Sequence, residues 1–267
     1  MKKIGLVGCG AMGTLIARHV VTHLSEYYSI AAVSSLTLEE AAPLANELGV
    51  PALSLEDTIA ACDILVESAC AAAMPGIVRA ALAAGREVVC LSVGGFVFDP
   101  ALRADVMRQP HLVHIPTGAI AGLDGINVLR EIGLESSSIT TIKKPESLGL
   151  TDLSELPLAH DSRASADARI VFEGSAAEAI KRFPANVNVA VSLSLAGMGF
   201  DATRVRLLAD PQAKGTRHLI DAKAGDCELH VITVPTPLKS NPRSSALAVY
   251  SVPALLREIA GKLRIAG

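Results

Sequence analysis

Ile4-Gly5-Leu6-Val7-Gly8-Cys9-Gly10-Ala11-Met12-Gly13 is the stretch that decides the fold. A short apolar run, Ile4 to Val7, feeds Gly8, Gly10 and Gly13 in the spacing G-x-G-x-x-G. Met12, Leu15, Ile16, Val20 and Leu24 then recur at helical spacing on one face. Strand, glycine turn and helix in that order form a dinucleotide-binding fingerprint. Gly8 permits the tight turn, Gly10 has no side chain to block a pyrophosphate, and Gly13 lets helix and strand pack closely. Free backbone N–H groups at the start of the helix, including those of Ala11 and Met12, favour a diphosphate together with the helix dipole. A plain structural turn is the alternative reading of such a loop. Its place at a strand–helix junction points instead to a nicotinamide cofactor, NAD or NADP.

The segments that follow keep the same rhythm. Ile30–Val33 reads as a second strand, Leu36–Leu48 as a helix with Pro43 inside it, and Gly49 as its stop. Asp63–Val66, Val88–Leu91 and Leu112–Ile115 read as strands, and Ala71–Ala84 and Ala101–Met107 as helices. Short apolar strands alternating with helices predict a parallel sheet covered on both faces, a doubly wound Rossmann domain over residues 1–116.

After Pro116 the pattern changes. Residues 139–147, 167–173, 203–209 and 227–234 read as longer strands with polar alternation, suited to a mostly antiparallel sheet. Helices are expected over Ser175–Arg182 and Val187–Ala196, with a loop at Pro235–Ser244 and a last apolar helix over Ser245–Leu263. The fold class is therefore α/β, with an α+β domain at 117–244 and a final helix, 245–267, able to pack back on the first domain.

Composition excludes several classes. Of 267 residues, half are hydrophobic and 19% are charged, which is globular rather than disordered. A net charge of −3 with interspersed signs suggests neither a nucleic-acid surface nor a polybasic membrane patch. No apolar run reaches the roughly 18–20 residues that span a bilayer. A signal peptide would destroy the glycine loop, so a cytoplasmic location is expected. Cys9, Cys62, Cys70, Cys90 and Cys227 form no C-x-x-C pair and read as reduced thiols. His19 and His23 lie four apart without a third ligand nearby, so no metal is expected.

In a doubly wound domain the ligand lies outside the carboxyl ends of the strands. Three later stretches are candidates to serve it. Pro116-Thr-Gly-Ala-Ile-Ala-Gly-Leu-Asp-Gly125 is a small-residue segment that suits either a domain hinge or close approach to a flat ring. Phe183-Pro-Ala-Asn-Val-Asn-Val-Ala190 places Asn186 and Asn188 around a helix start, one as a cap and the other open to a ligand. Arg204 to Ile220 runs from a strand end at Asp210-Pro211 through a polar loop to His218, which is read as lying just beyond that loop. Histidine is a proton-transfer group near neutral pH, though a loop histidine is often a bystander.

Taken together these stretches resemble the L-aspartate dehydrogenase family. The resemblance is carried by the glycine fingerprint, Gly118-Ala-Ile-Ala-Gly-Leu-Asp124, Asn186-Val-Asn-Val-Ala190, Leu195-Ala-Gly-Met-Gly199, Arg206-Leu-Leu-Ala-Asp-Pro211, His218 and Asn241-Pro-Arg-Ser-Ser-Ala-Leu247. It runs almost end to end and in order. It implies that His218 is the catalytic histidine and that Ala119 and Asn188 contact the cofactor. It also implies reversible NAD(P)-dependent oxidation of L-aspartate to iminosuccinate, which hydrolyses to oxaloacetate and ammonia. A supply of iminosuccinate to NAD synthesis and a homodimer are implied as well. Related oxidoreductases of the homoserine-dehydrogenase or dihydrodipicolinate-reductase kind, or a cofactor-binding redox sensor without turnover, are the alternatives.

Two points stay open in the sequence. The substrate's carboxylates need cations or hydroxyls, and Arg206, Arg217, Lys214 and Arg243 are available, with Ser244 and Ser245 beside the last. The second strand ends at Ser34-Ser35, where NAD-specific domains usually carry an acid. Ser34 is taken as the ribose-side position. The missing carboxylate removes repulsion against a 2′-phosphate, so dual cofactor use or an NADP preference is expected.

Overall fold

The glycine-loop strand lies inside a five-stranded parallel sheet. The computed structural model describes residues 1–183, 188–238 and 245–263. They form two units. The first comprises Met1–Gly118 and most of the last helix, and the second Ala119–Pro237 with Ser245–Leu247.

The first unit runs β1 (Lys2–Val7), α1 (Ala11–His23), β2 (Tyr28–Ser34), α2 (Leu38–Leu48), α3 (Leu55–Ala61), β3 (Ile64–Glu67), α4 (Met74–Ala83), β4 (Glu87–Cys90), α5 (Gly95–Phe98), α6 (Ala101–Met107) and β5 (Val113–His114). The strand order is β2-β1-β3-β4-β5, all parallel. This is the doubly wound sheet expected from the alternation. β3 is buried along its whole length, as a strand covered on both faces must be. Thr37 and Ser54 cap α2 and α3 by accepting the backbone N–H of Glu40 and Asp57, and Gly49 (φ 66°) ends α2 in the left-handed region. α2 continues through Pro43. α3 and α5 were not expected: at 7 and 4 residues they are too short to show a helical period.

The second unit contains α7 (Leu123–Ile132), β6 (Ser136–Lys143), a 3-10 turn at Pro145–Leu148, β7 (Arg169–Ser175), α8 (Ala176–Arg182), α9 (Asn188–Ala196), β8 (Arg204–Ala209), β9 (Arg217–Ala224) and β10 (Cys227–Thr233). Its sheet order is β10-β9-β6-β8-β7, antiparallel except for the β6–β8 pair. One expectation is corrected here. The strand expected over 139–147 stops at Lys143, because Pro145 cannot donate to a ladder. β9 is absent from the expected strands, and His218, expected just beyond the polar loop, is its second residue. α7 was also missed, although Leu123, Ile126 and Leu129 keep helical spacing and Gly133 (φ 115°) closes it.

The last helix, α10 (Ala246–Ala260), is shorter than the expected 245–263. Its Val249, Val252 and Leu256 join the first unit's core with Ile4, Leu6 and Ile16. Tyr28 donates its hydroxyl to the Leu256 carbonyl at 2.8 Å. All five cysteines are free. Among the described residues no cluster could hold a metal ion, and no helix is long and apolar enough to cross a membrane.

Candidate active site

In the first unit the strand order reverses between β1 and β3, and the glycine loop occupies that switch point. The three glycines differ in what they do for the chain itself. A Cβ at Gly8 (φ +98°) would stand 2.5 Å from the Ser68 backbone, and one at Gly13 would overlap the Gly8 carbonyl oxygen. Both positions are fixed by packing. A Cβ at Gly10 would meet nothing within 4 Å. Packing gives no reason for that glycine, and an approaching diphosphate does. Gly10 is also the N-cap of α1 without a side-chain cap, so the helix's first N–H groups are left for a ligand. The loop therefore has room for the pyrophosphate of a dinucleotide, which Gly10, Ala11 and Met12 could hold.

Loops on either side are pinned. The Gly8 N–H donates to the Ser34 carbonyl at 2.8 Å, and the Ser68 hydroxyl to the Gly8 carbonyl at 2.9 Å. Ser34 is buried and serves the loop through that carbonyl. Glu67, fully buried at the end of β3, accepts the N–H of Ala69 (2.8 Å) and of Ser92 (3.0 Å). It thereby ties the segments that follow β3 and β4 to one carboxylate. Its charge, after burial, also pushes the neighbouring Cys90 thiol well above its usual range.

In the second unit His218 is only 5% exposed. Its Nδ1 lies 2.9 Å from the Thr141 hydroxyl. Thr141 on β6 and Thr233 on β10 are its two cross-strand partners. Thr233 donates its hydroxyl to the carbonyl of Ala119 at 3.0 Å. Burial, and then the charge of Lys143, lowers the imidazole to about 4. The ring is thus neutral at pH 7 and has one nitrogen committed to a hydroxyl.

Strand parity sorts the candidate cations. Side chains alternate between faces, so Thr141, Lys143 and His218 share one face. Arg206 pairs in register with Thr140, and Arg217 with Ile142, which puts both on the opposite face. There Arg206 bridges to Asp161 (2.9 Å) and Glu173 (3.3 Å), and Arg217 donates to the Arg163 carbonyl at 2.7 Å.

Residues 124–259 match the family described as "Aspartate dehydrogenase, C-terminal", and residues 8–110 the "Homoserine dehydrogenase, NAD binding domain". The chain is 36% identical to L-aspartate dehydrogenase of Methanocella arvoryzae and 34% identical to that of Methanosarcina barkeri, in each case over 99% of both chains. The chain belongs to the L-aspartate dehydrogenase family. In fold it also resembles the crystal structure of aspartate dehydrogenase from Thermotoga maritima, with a TM-score of 0.72, 23% identity and 99% of each chain covered.

Set against this family, the positions named from sequence divide clearly. His218 and Ala119 are brought into one neighbourhood through Thr233. Asn188 is the first residue of α9 and exposed, while Asn186, Arg243 and Ser244 lie outside the described residues. Ser245 pairs with Pro237 in an isolated bridge, and Lys214 is exposed. Thr141, Lys143 and Glu67 escaped the sequence reading. A basic residue two positions beyond a buried threonine on one strand, and an acid closing an apolar strand, are the signals that mark them.

Proposed function

We propose that the chain is an NAD(P)-dependent L-aspartate dehydrogenase, with His218 as its proton-transfer group. Oxidation removes a hydride from Cα of L-aspartate and a proton from its amine, and yields iminosuccinate; water then releases oxaloacetate and ammonia. When bound, the nicotinamide supplies the hydride acceptor. The chain's own part begins with the loop Gly8–Gly13, which holds the diphosphate through Gly10, Ala11 and Met12. The family resemblance assigns Ala119 and Asn188 to contact with the cofactor.

The observation that carries the assignment of His218 is its placement: a buried imidazole opposite Thr141, with Nδ1 held 2.9 Å from that hydroxyl. A buried imidazole beside a lysine's charge stays unprotonated and can accept a proton from the substrate amine or from the water that attacks the imine. Thr141 fixes which nitrogen remains available. Lys143, on the same sheet face, is the cation suited to a substrate carboxylate, with Arg243, Ser244 and Ser245 as the family-derived alternatives. General acid–base help of this kind is worth roughly 10²–10⁴ in rate. His218→Ala is expected to lower kcat by that scale while dinucleotide affinity stays unchanged. An unaltered kcat removes His218 from the mechanism.

Three finer readings rest on the family. Iminosuccinate would feed NAD synthesis in the cytoplasm, and the enzyme would act as a homodimer. The outer strand β10, with Ile232 60% exposed, is an edge that a second subunit would cover. Sedimentation at micromolar concentration tests the dimer.

A further inference from the structure

The helix that follows β2 brings a carboxylate back to the residue just beyond the strand end. The Thr37 cap, accepting the Glu40 N–H at 3.2 Å, sets Glu40 in the first turn of α2. From there Glu40 Oε2 accepts the hydroxyl of Ser35 at 2.9 Å, just beyond the strand end. Its neighbour Glu39 is engaged differently, bonding back to its own N–H and to the Thr37 hydroxyl, which lowers its pKa. Glu40 is exposed, and no described cation pairs with it. It also lies within electrostatic reach of the glycine loop. The Cys9 thiol, which donates to the Ser34 carbonyl at 3.4 Å, is pushed up to about 11 by burial first and by Glu40 second.

We infer that Glu40, held by Ser35, is the residue that selects between the two dinucleotides: it accepts the adenosine ribose hydroxyls of NAD and repels the 2′-phosphate of NADP. The inference rests on the cofactor reading above. It reverses the NADP tolerance expected from Ser34-Ser35, because five residues of chain fold the missing charge back to the place where an acid usually stands. A carboxylate accepts the two vicinal hydroxyls of NAD through charge-assisted bonds. Against a phosphate it acts as a like charge across partly solvated space, where discrimination on the order of tenfold is expected rather than the far larger values of a buried pair.

The test is calorimetric titration of the full-length protein with NAD⁺ and NADP⁺, for wild type, Glu40→Gln and Glu40→Lys. The wild type is expected to bind NAD⁺ about tenfold more tightly than NADP⁺. Glu40→Gln should bring the two dissociation constants together, chiefly by tightening NADP⁺, and Glu40→Lys should invert their order. A helix-capping role alone would lower Tm and leave the ratio unmoved. Wild-type preference for NADP⁺, or a ratio unaffected by Glu40→Gln while both ligands bind, overturns the inference about Glu40 and leaves the cofactor reading standing. Failure of the wild type to bind either dinucleotide overturns both.

Discussion

Replacing Gly10 and Gly13 separately by alanine distinguishes a glycine required by a ligand from one required by the fold. At Gly10 the backbone is extended (φ −71°, ψ −172°), a region open to any residue, and the new methyl meets nothing within 4 Å. Gly10→Ala should therefore leave stability within about 0.5 kcal/mol of wild type. The same methyl enters the space assigned to the diphosphate. The dissociation constant for NAD⁺ should rise on the order of tenfold or more, the cost of losing one charge-assisted contact. At Gly13 the methyl overlaps the Gly8 carbonyl oxygen and stands 2.7 Å from the Ser68 Oγ. Backbone on backbone cannot yield as a side chain does, so α1 must shift off β1. Overpacking of this kind costs about 1–3 kcal/mol, or several degrees in Tm for a chain of this size. Thermal melting and NAD⁺ titration on the same samples read both quantities. Wild-type affinity in Gly10→Ala, or a fall in its Tm matching that of Gly13→Ala, would refute the assignment of the loop.

The remaining predictions concern the buried polar groups. Because folding lowers His218 from 6.5 to about 4, the unfolded chain takes up this proton first as pH falls; stability contributed by His218 declines by about 3 kcal/mol between pH 6.5 and 4. Urea midpoints across that range, compared with His218→Gln, should show the loss in wild type only. The same value predicts that log kcat/KM carries no acid limb near pH 6.5, and a limb there would contradict the neutral-base assignment. Lys143→Met should raise KM for L-aspartate on the order of tenfold and move His218 upward by removing a charge; an unchanged KM removes Lys143 from substrate binding. Glu67→Ala strands the N–H groups of Ala69 and Ser92 and should cost about 3 kcal/mol in urea unfolding, whereas a loss below about 1 kcal/mol would show that those loops need no such tie.

What the sequence disclosed, and what it withheld, follows from the range of the signals. Glycine spacing and apolar runs are local, so β1, α1 and the alternation through β5 were legible, and the run Ala101–Met107 was placed to the residue. The mostly antiparallel second sheet was legible from polar alternation. β9 was not, because Arg217-His218-Leu219-Ile220-Asp221 mixes charge with apolar residues: its Asp221 is satisfied at 2.7 Å by Arg163 from the segment between β6 and β7, a partner 58 residues away. His218 was nominated through family resemblance, while its burial and its bond to Thr141 depend on a pairing 77 residues apart. Glu40 was passed over for a related reason. A search for an acid at the end of β2 looks along the strand, whereas the carboxylate returns from the first turn of the next helix. Parity on β6 and β8, visible only once the register is known, separated Lys143 from Arg206.

The purified chain, given L-aspartate with NAD⁺ or NADP⁺ and followed by the absorbance of the reduced nicotinamide, tests the central claim most directly. Reduced cofactor should accumulate only when L-aspartate is present, should not form with homoserine, and should be lost in His218→Ala. No aspartate-dependent signal with either cofactor, or an equal signal from His218→Ala, would contradict the account.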